Sequence, residues 1–94
     1  MNRLRPIDPG PEPLNLRRAF IRRTTLDHAD LRGADLTKAD LTNASARYAD
    51  FTDAILDETI LRGADLTGAR ITAAQLRAAI TDERTVLPQD EPRS

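Results

Sequence analysis

The sequence predicts an all-β solenoid, in which the chain turns a corner every five residues. An apolar residue recurs at every fifth position from Leu16 to Ile71, and the residue two places earlier is usually alanine. A helix has a period of 3.6 and a strand a period of 2, so neither can keep this series on one face. The twelve central residues are Leu16, Ile21, Leu26, Leu31, Leu36, Leu41, Ala46, Phe51, Leu56, Leu61, Leu66 and Ile71.

Composition limits the classes of protein to which the chain can belong. Its 94 residues suffice for one small domain, and 14 basic against 15 acidic side chains leave a formal charge of −1. Such a balance produces no global field to recruit nucleic acid or a membrane. There is no cysteine, no long apolar run and no apolar core of a secretory signal near Met1. We therefore expect a cytoplasmic protein that contacts no membrane.

Residues 1–13 form a proline-rich N-terminal arm that cannot join a regular hydrogen-bonded ladder. It contains four prolines, and proline has no backbone N–H to donate. One interpretation is a flexible extension. The other is that Leu4 and Ile7 fold back over the open N-terminal end of the solenoid.

Three five-residue segments carry a resemblance to a known family. Residues 29–33 read Ala-Asp-Leu-Arg-Gly, residues 34–38 Ala-Asp-Leu-Thr-Lys and residues 64–68 Ala-Asp-Leu-Thr-Gly. They resemble the pentapeptide-repeat family, whose consensus is Ala-Asp/Asn-Leu followed by two variable residues. The resemblance implies a right-handed quadrilateral β-solenoid with four pentapeptides in each coil. Residues 14–73 would then make about three coils.

After Ile71 the pattern changes to that of a short helix. Thr72 and Gln75 have the spacing of a capping box, and Ala73 begins a stretch of helix-forming residues. We predict a C-terminal cap over residues 74–88, with a short capping helix, and a polar tail over residues 89–94. Its physical role is to cover the last coil and block end-to-end ladder growth.

The chain offers little to an enzyme. His28, which shares a predicted column with Tyr48, is the single histidine, and no serine or cysteine nucleophile matches it. Aspartates recur just before the centres, where the family uses Asp or Asn for hydrogen bonding at the turn. Successive ones lie on different walls and do not converge as a metal site requires. We predict no catalytic residue, no cofactor and no metal.

The irregular surface residues are the candidates for partner binding. Four arginines form a basic corner near the N-terminus, which is either a solvated corner, a docking surface for an acidic partner, or a site for phosphate or nucleic acid. Three apolar residues occupy outward positions that are polar elsewhere, so either flanking segments cover them or they form an interface. The candidate partner-binding residues are Arg17, Arg18, Arg22, Arg23, Phe20, Ile55 and Ile60.

We therefore predict a non-catalytic protein–protein interaction or scaffold module that presents rigid walls to a protein partner. The alternative, which the family resemblance implies, is a DNA mimic that binds DNA gyrase or a related topoisomerase. The near-neutral charge and the short repeat column argue against mimicry. We expect no direct contact with nucleic acid, and either a monomer or an N-terminal end-to-end homodimer.

Overall fold

The structure is a computed structural model that describes residues 14–88. The predicted arm and tail lie outside the described residues. Between residues 14 and 88 there is one helix, α1, which spans Ala73–Ala78. It is far too short to cross a bilayer, and this part of the chain holds no other candidate for a transmembrane helix.

Isolated parallel bridges hold the solenoid together. Within residues 14–88, nine of the ten bridges join residues twenty apart, and the tenth joins Asp65 to Val86. We call each twenty-residue circuit a coil; the first coil is residues 14–33. The bridges define wall 1 (Asn15, Asp35, Ile55), wall 2 (Phe20, Asp40, Ile60, Ile80), wall 3 (Thr25, Ser45, Asp65, Val86) and wall 4 (Asp30, Asp50, Arg70).

The five-residue period places the core inside these walls, as predicted. The central residues from Leu31 to Leu66 are buried, as are the alanines from Ala34 to Ala64 that lie two places before a centre. Ala46, which is the small residue among the centres, is fully buried, and so is the next centre, Phe51. Thr59 replaces an alanine of the series, and its hydroxyl donates to the Leu36 carbonyl at 2.6 Å. A buried hydroxyl without such an acceptor would be costly.

The corners depend on left-handed backbone. Within residues 14–88, eleven residues have φ between 58° and 71°, and each lies two places after a centre. Three of them are the glycines Gly33, Gly63 and Gly68, and the other eight are not glycine. Left-handed φ costs an L-residue about 1–2 kcal/mol. The conformation lets the N–H at most of these positions join the ladder; that of Lys38, for example, donates to the Asp57 carbonyl at 2.9 Å.

At the C-terminal edge, side chains take the place of ladder strands. Thr72 is the N-cap of α1 and forms the predicted capping box with Gln75. The Gln75 amide also donates to the carbonyls of Phe51 and Ala54 at 2.8 and 2.9 Å. Asp82 accepts the N–H of Gly63. These bonds satisfy backbone groups that a further regular coil would otherwise have paired.

The first prediction concerns the core. Replacing Leu36, which is fully buried, by alanine should lower the free energy of unfolding by about 2–5 kcal/mol. Leu36→Asp should prevent folding, because its carboxylate would be buried without a partner. The neighbouring Asp35→Asn is the matched control, since it keeps an oxygen for the Thr37 N–H and should cost little. Urea unfolding followed by circular dichroism measures all three, and equal tolerance of Leu36→Asp and Asp35→Asn would contradict the register.

Candidate protein-docking surface

The most exposed large apolar side chain in residues 14–88 is Phe20, in the first coil of wall 2. Its exposed fraction is 74%. It cannot turn inward, because it occupies the bridging position, from which side chains leave the wall. The guanidinium of Arg22 lies 5.6 Å from the centre of its ring, which is within cation–π range.

Two pairs of arginines flank Phe20 at the two corners of wall 2. Arg17 and Arg18 follow the centre Leu16. Arg22 and Arg23 follow the centre Ile21. Arg17 forms an ion pair with Asp35 at 3.2 Å, and Arg22 approaches Asp40 at 3.8 Å. These contacts are half exposed, so each contributes little to stability.

The other two arginines are freer to meet a partner. Arg18 and Arg23 form no ion pair with any residue between 14 and 88. Both are exposed and have positive φ at the tips of their corners. The predicted basic corner is therefore two neighbouring corners, one on each side of Phe20.

The ion pairs follow a spacing that sequence reasoning missed. Residues twenty apart lie in one column, where opposite charges could pair, and Lys38 and Glu58 do form an ion pair at 4.0 Å. The side chains of Asp27 and Arg47, and of Asp50 and Arg70, have the same spacing but form no ion pair. Instead, three arginines reach the carboxylate eighteen residues further on: Arg17 to Asp35, Arg22 to Asp40 and Arg47 to Asp65. Each of these arginine side chains leans back to the wall that precedes it in sequence, one coil further on, and this direction cannot be read from the spacing in the sequence.

The three candidate apolar residues do not form one patch. Phe20 and Ile60 share wall 2, but Asp40 lies between them. Ile55 is on wall 1, around a corner, with 43% of its surface exposed. Ile60 is half-buried and bridges to Ile80, a residue that sequence reasoning did not select. The structure thus separates a basic N-terminal group around Phe20 from an isoleucine group nearer the C-terminus.

The predicted column of His28 and Tyr48 is present as a stack of rings. The ring centres are 5.2 Å apart and the planes differ by 15°. Gly68 makes room for the tyrosine, since a Cβ there would lie 2.3 Å from its ring. Asp27 does not pair with the imidazole; it accepts from the Ser45 hydroxyl at 2.6 Å and from the Arg47 N–H at 3.0 Å. The arrangement packs a corner and lacks an acid–base pair.

The recurring aspartates organise the walls. Each accepts the backbone N–H two residues later, and in four cases also the hydroxyl of a threonine there. The threonine hydroxyl holds the pKa of Asp35, Asp40 and Asp50 below the ordinary value. The Arg32 side chain lowers the pKa of Asp30 to about 2. Within residues 14–88, no three potential ligands converge on a point where a metal ion could bind.

These carboxylates make stability depend on acid pH. Because their pKa values are lowered on folding, their contribution is complete above the ordinary value of 3.8. It is lost as the pH falls through the folded values, so the free energy of unfolding should decrease from about pH 4 downward. Urea unfolding at pH 7 and pH 3 measures the difference.

The control is a triple variant that removes the hydroxyl donors, Thr37→Val, Thr42→Val and Thr52→Val. Without these donors the three carboxyl pKa values should rise toward normal, and the loss of stability between pH 7 and pH 3 should shrink. A triple variant with the same loss as the wild type would contradict this account.

Comparison with known proteins agrees with this geometry. The model of the family "Pentapeptide repeats" matches eight copies over residues 14–43 and 47–80, so its gap includes Ala46. A solved pentapeptide repeat protein, Rfr23 from the cyanobacterium Cyanothece 51142, is similar to 80% of this chain with 35% identity and a TM-score of 0.74.

A second solved structure is HetL from Nostoc sp. strain PCC 7120, described as a pentapeptide repeat protein involved in heterocyst differentiation regulation. It is similar to 84% of this chain, with 23% identity and a TM-score of 0.34. This chain spans about half, 51%, of the length of each of these two structures. No curated protein matches the sequence. The family match covers most of the described residues, and the chain is a member of the pentapeptide-repeat family, whose proteins fold as right-handed β-solenoids.

Proposed function

We propose that the protein is a non-catalytic binding module that docks an acidic protein partner on the first coil of wall 2. The observation that carries the proposal is Phe20, an aromatic side chain exposed by 74% between two arginine pairs. Aromatic and arginine side chains dominate the energetics of protein interfaces. An aromatic ring held out on a β wall loses little conformational freedom on binding.

Charge supports an acidic partner. Residues 14–33 contain five arginines (Arg17, Arg18, Arg22, Arg23 and Arg32) against two aspartates (Asp27 and Asp30), although the whole chain has a charge of −1. This local excess at one end would steer an acidic surface toward Phe20. Ile55 and Ile60 belong to the separate isoleucine group and lie outside this docking surface.

A DNA-mimic role draws no support from any feature of residues 14–88. Mimicry needs a continuous acidic surface, whereas the wall aspartates are held by threonines and arginines. The first coil has a net positive charge, which is the opposite of what mimicry needs. The non-enzymatic role rests on the family, whose members are in general structural or interaction modules. The cytoplasmic location stays a prediction.

Reversing single charges tests the docking proposal. Arg18→Glu or Arg23→Glu breaks none of the ion pairs in residues 14–88, so stability should stay within about 0.5 kcal/mol of the wild type. Each variant, and Phe20→Ala, should lose most partner capture from the native host, measured by affinity purification and quantitative mass spectrometry. Arg70→Glu on the opposite wall 4 is the matched control and should retain capture.

Two outcomes would contradict the proposal. One is capture that responds to Arg70→Glu as strongly as to Arg18→Glu. The other is dose-dependent inhibition of gyrase supercoiling by the wild type that disappears when the acidic groups Asp50, Asp53, Asp57 and Glu58 are neutralised. That result would favour mimicry.

We also propose that residues 74–88 cap a solenoid of three coils. Gln75 supports this role, because its one side chain completes the capping box of α1 and donates to the carbonyls of Phe51 and Ala54, on either side of the start of the last coil. Gln75→Ala should lower the free energy of unfolding by about 1–3 kcal/mol. Arg77→Ala, an exposed change in the same helix, is the control and should cost less than about 0.5 kcal/mol.

Deleting residues 72–94 tests the cap directly. The exposed edge should then associate in proportion to protein concentration, as measured by sedimentation velocity. A truncated chain that remains monomeric and equally stable would contradict the capping role.

A further inference from the structure

The two ends of the solenoid differ in how their backbone groups are paired. At the C-terminal end, the N–H groups of Leu61, Gly63 and Leu66 all have acceptors from the segment that follows Ile71. At the N-terminal end, within residues 14–88, the N–H groups of Phe20 and Thr25 have no backbone acceptor. An unpaired strand edge is a template for another strand.

From the second coil onward, the bridging residues within residues 14–88 all donate their N–H groups to the ladder. One coil later, the N–H groups of Asp40 and Ser45 donate to the carbonyls of Ala19 and Thr24 at 2.8 and 2.9 Å. Phe20 and Thr25 hold the same position in the first coil, so their N–H groups point away from the solenoid along its axis. The first-coil centres Leu16 and Ile21 are half-buried and offer an apolar floor beside them.

The sequence before residue 14 does not have the pattern of a regular coil. Counting back in fives from Leu16, Pro11 and Pro6 would be centres, and Pro13 would hold the left-handed corner position. Both positions need an N–H that donates to the ladder, and the corner needs positive φ. Proline has no N–H, and its ring holds φ near −65°.

We infer that the partner's docking element is an acidic extended segment that adds as a strand beneath Phe20. This inference rests on the proposed function, because it uses the same surface and names the chemistry of the partner. The backbone of the segment pairs with the free edge at Phe20, which provides affinity independent of side chains. The arginine corners at both ends of wall 2 select for acidic side chains.

The geometry specifies a sequence pattern. Alternate side chains of a strand point to the same face and repeat at about 6.8 Å. A residue beneath Phe20 therefore points outward, and the residues two places before and after it point toward the arginine corners. The intervening residues face the apolar floor. The pattern is acidic, small, apolar, small, acidic.

A peptide titration tests strand addition. The probe is the acetylated and amidated peptide Ser-Glu-Glu-Ala-Ile-Ala-Glu-Glu-Ser, added to the full-length ¹⁵N-labelled protein at low ionic strength. We expect saturable shifts of the Phe20 and Thr25 amide signals and slower hydrogen exchange at Phe20. Arg18→Glu and Arg23→Glu should each weaken binding several-fold, and Arg70→Glu should not.

Two methylated peptides separate a strand from a loosely held chain of charges. One is N-methylated at isoleucine and the other at the alanine before it. Because alternate amides of a strand face the edge, one isomer should lose affinity about fivefold and the other should retain it. If both bind as the unmodified peptide does, strand addition is wrong, whereas docking by charge still stands.

Other results would identify a different occupant of the edge at Phe20. Tighter binding of a single-stranded oligothymidylate than of the peptide would identify this end as a nucleic-acid site. A concentration-dependent dimer that blocks the peptide would assign the edge to a second copy. Failure of the peptide to bind at any protein concentration, with Phe20 exchange already slow, would assign it to the protein's own chain. Each of these overturns the inference. Loss of native partner capture in the Arg18→Glu and Arg23→Glu variants tests the proposed function independently.

Discussion

The structure depends on a backbone hydrogen bond between residues nineteen apart. From Leu16 to Phe51 the N–H of every central residue donates to the carbonyl nineteen residues later, as Leu16 does to Asp35 and Leu36 to Ile55. This bond sets the twenty-residue register, and the register decides which side chains point inward. Packing and hydrogen bonding are therefore coupled, because a shift by one residue would expose the leucines and bury the aspartates. The left-handed corners follow from the same constraint.

The same register makes the outside of the protein a fixed grid of side chains. A wall position has one neighbour directly above it and one diagonal neighbour, eighteen residues away, whose corner side chain leans toward it. In the second coil, Asp35 and Asp40 form ion pairs with their diagonal neighbours in the first coil, Arg17 and Arg22. The first coil has no such layer beneath it in residues 14–88, and there the outward position of wall 2 is Phe20. Unlike those aspartates, Phe20 forms no ion pair, and its exposed side chain is therefore available to a partner.

The sequence predicted the core better than the surface, for physical reasons. The five-residue period appears in the sequence, for example at Ala34 and Leu36, because burial restricts the residue type at each inward position independently of the other positions. The eight non-glycine corner residues carry no such mark, since their conformation is imposed by the ladder and not by local preference. The diagonal ion pairs depend on how a side chain leaves a corner. Gln75 was predicted as half of a capping box, but its bonds to the Phe51 and Ala54 carbonyls could not be predicted, because they depend on where α1 lies against the solenoid.

The difference between the two ends gives the solenoid a direction for binding. A repeat fold must stop its ladder somewhere, and each stop leaves polar backbone groups to be satisfied. At the C-terminal end Gln75, Asp82 and Thr85 do this with side-chain atoms, so that end can accept no further strand without losing those bonds. At the N-terminal end the described residues provide no equivalent side chains. The exposed aromatic ring and the arginine excess lie on that same coil. Strand pairing, apolar contact and charge therefore favour one location, although each depends on different atoms.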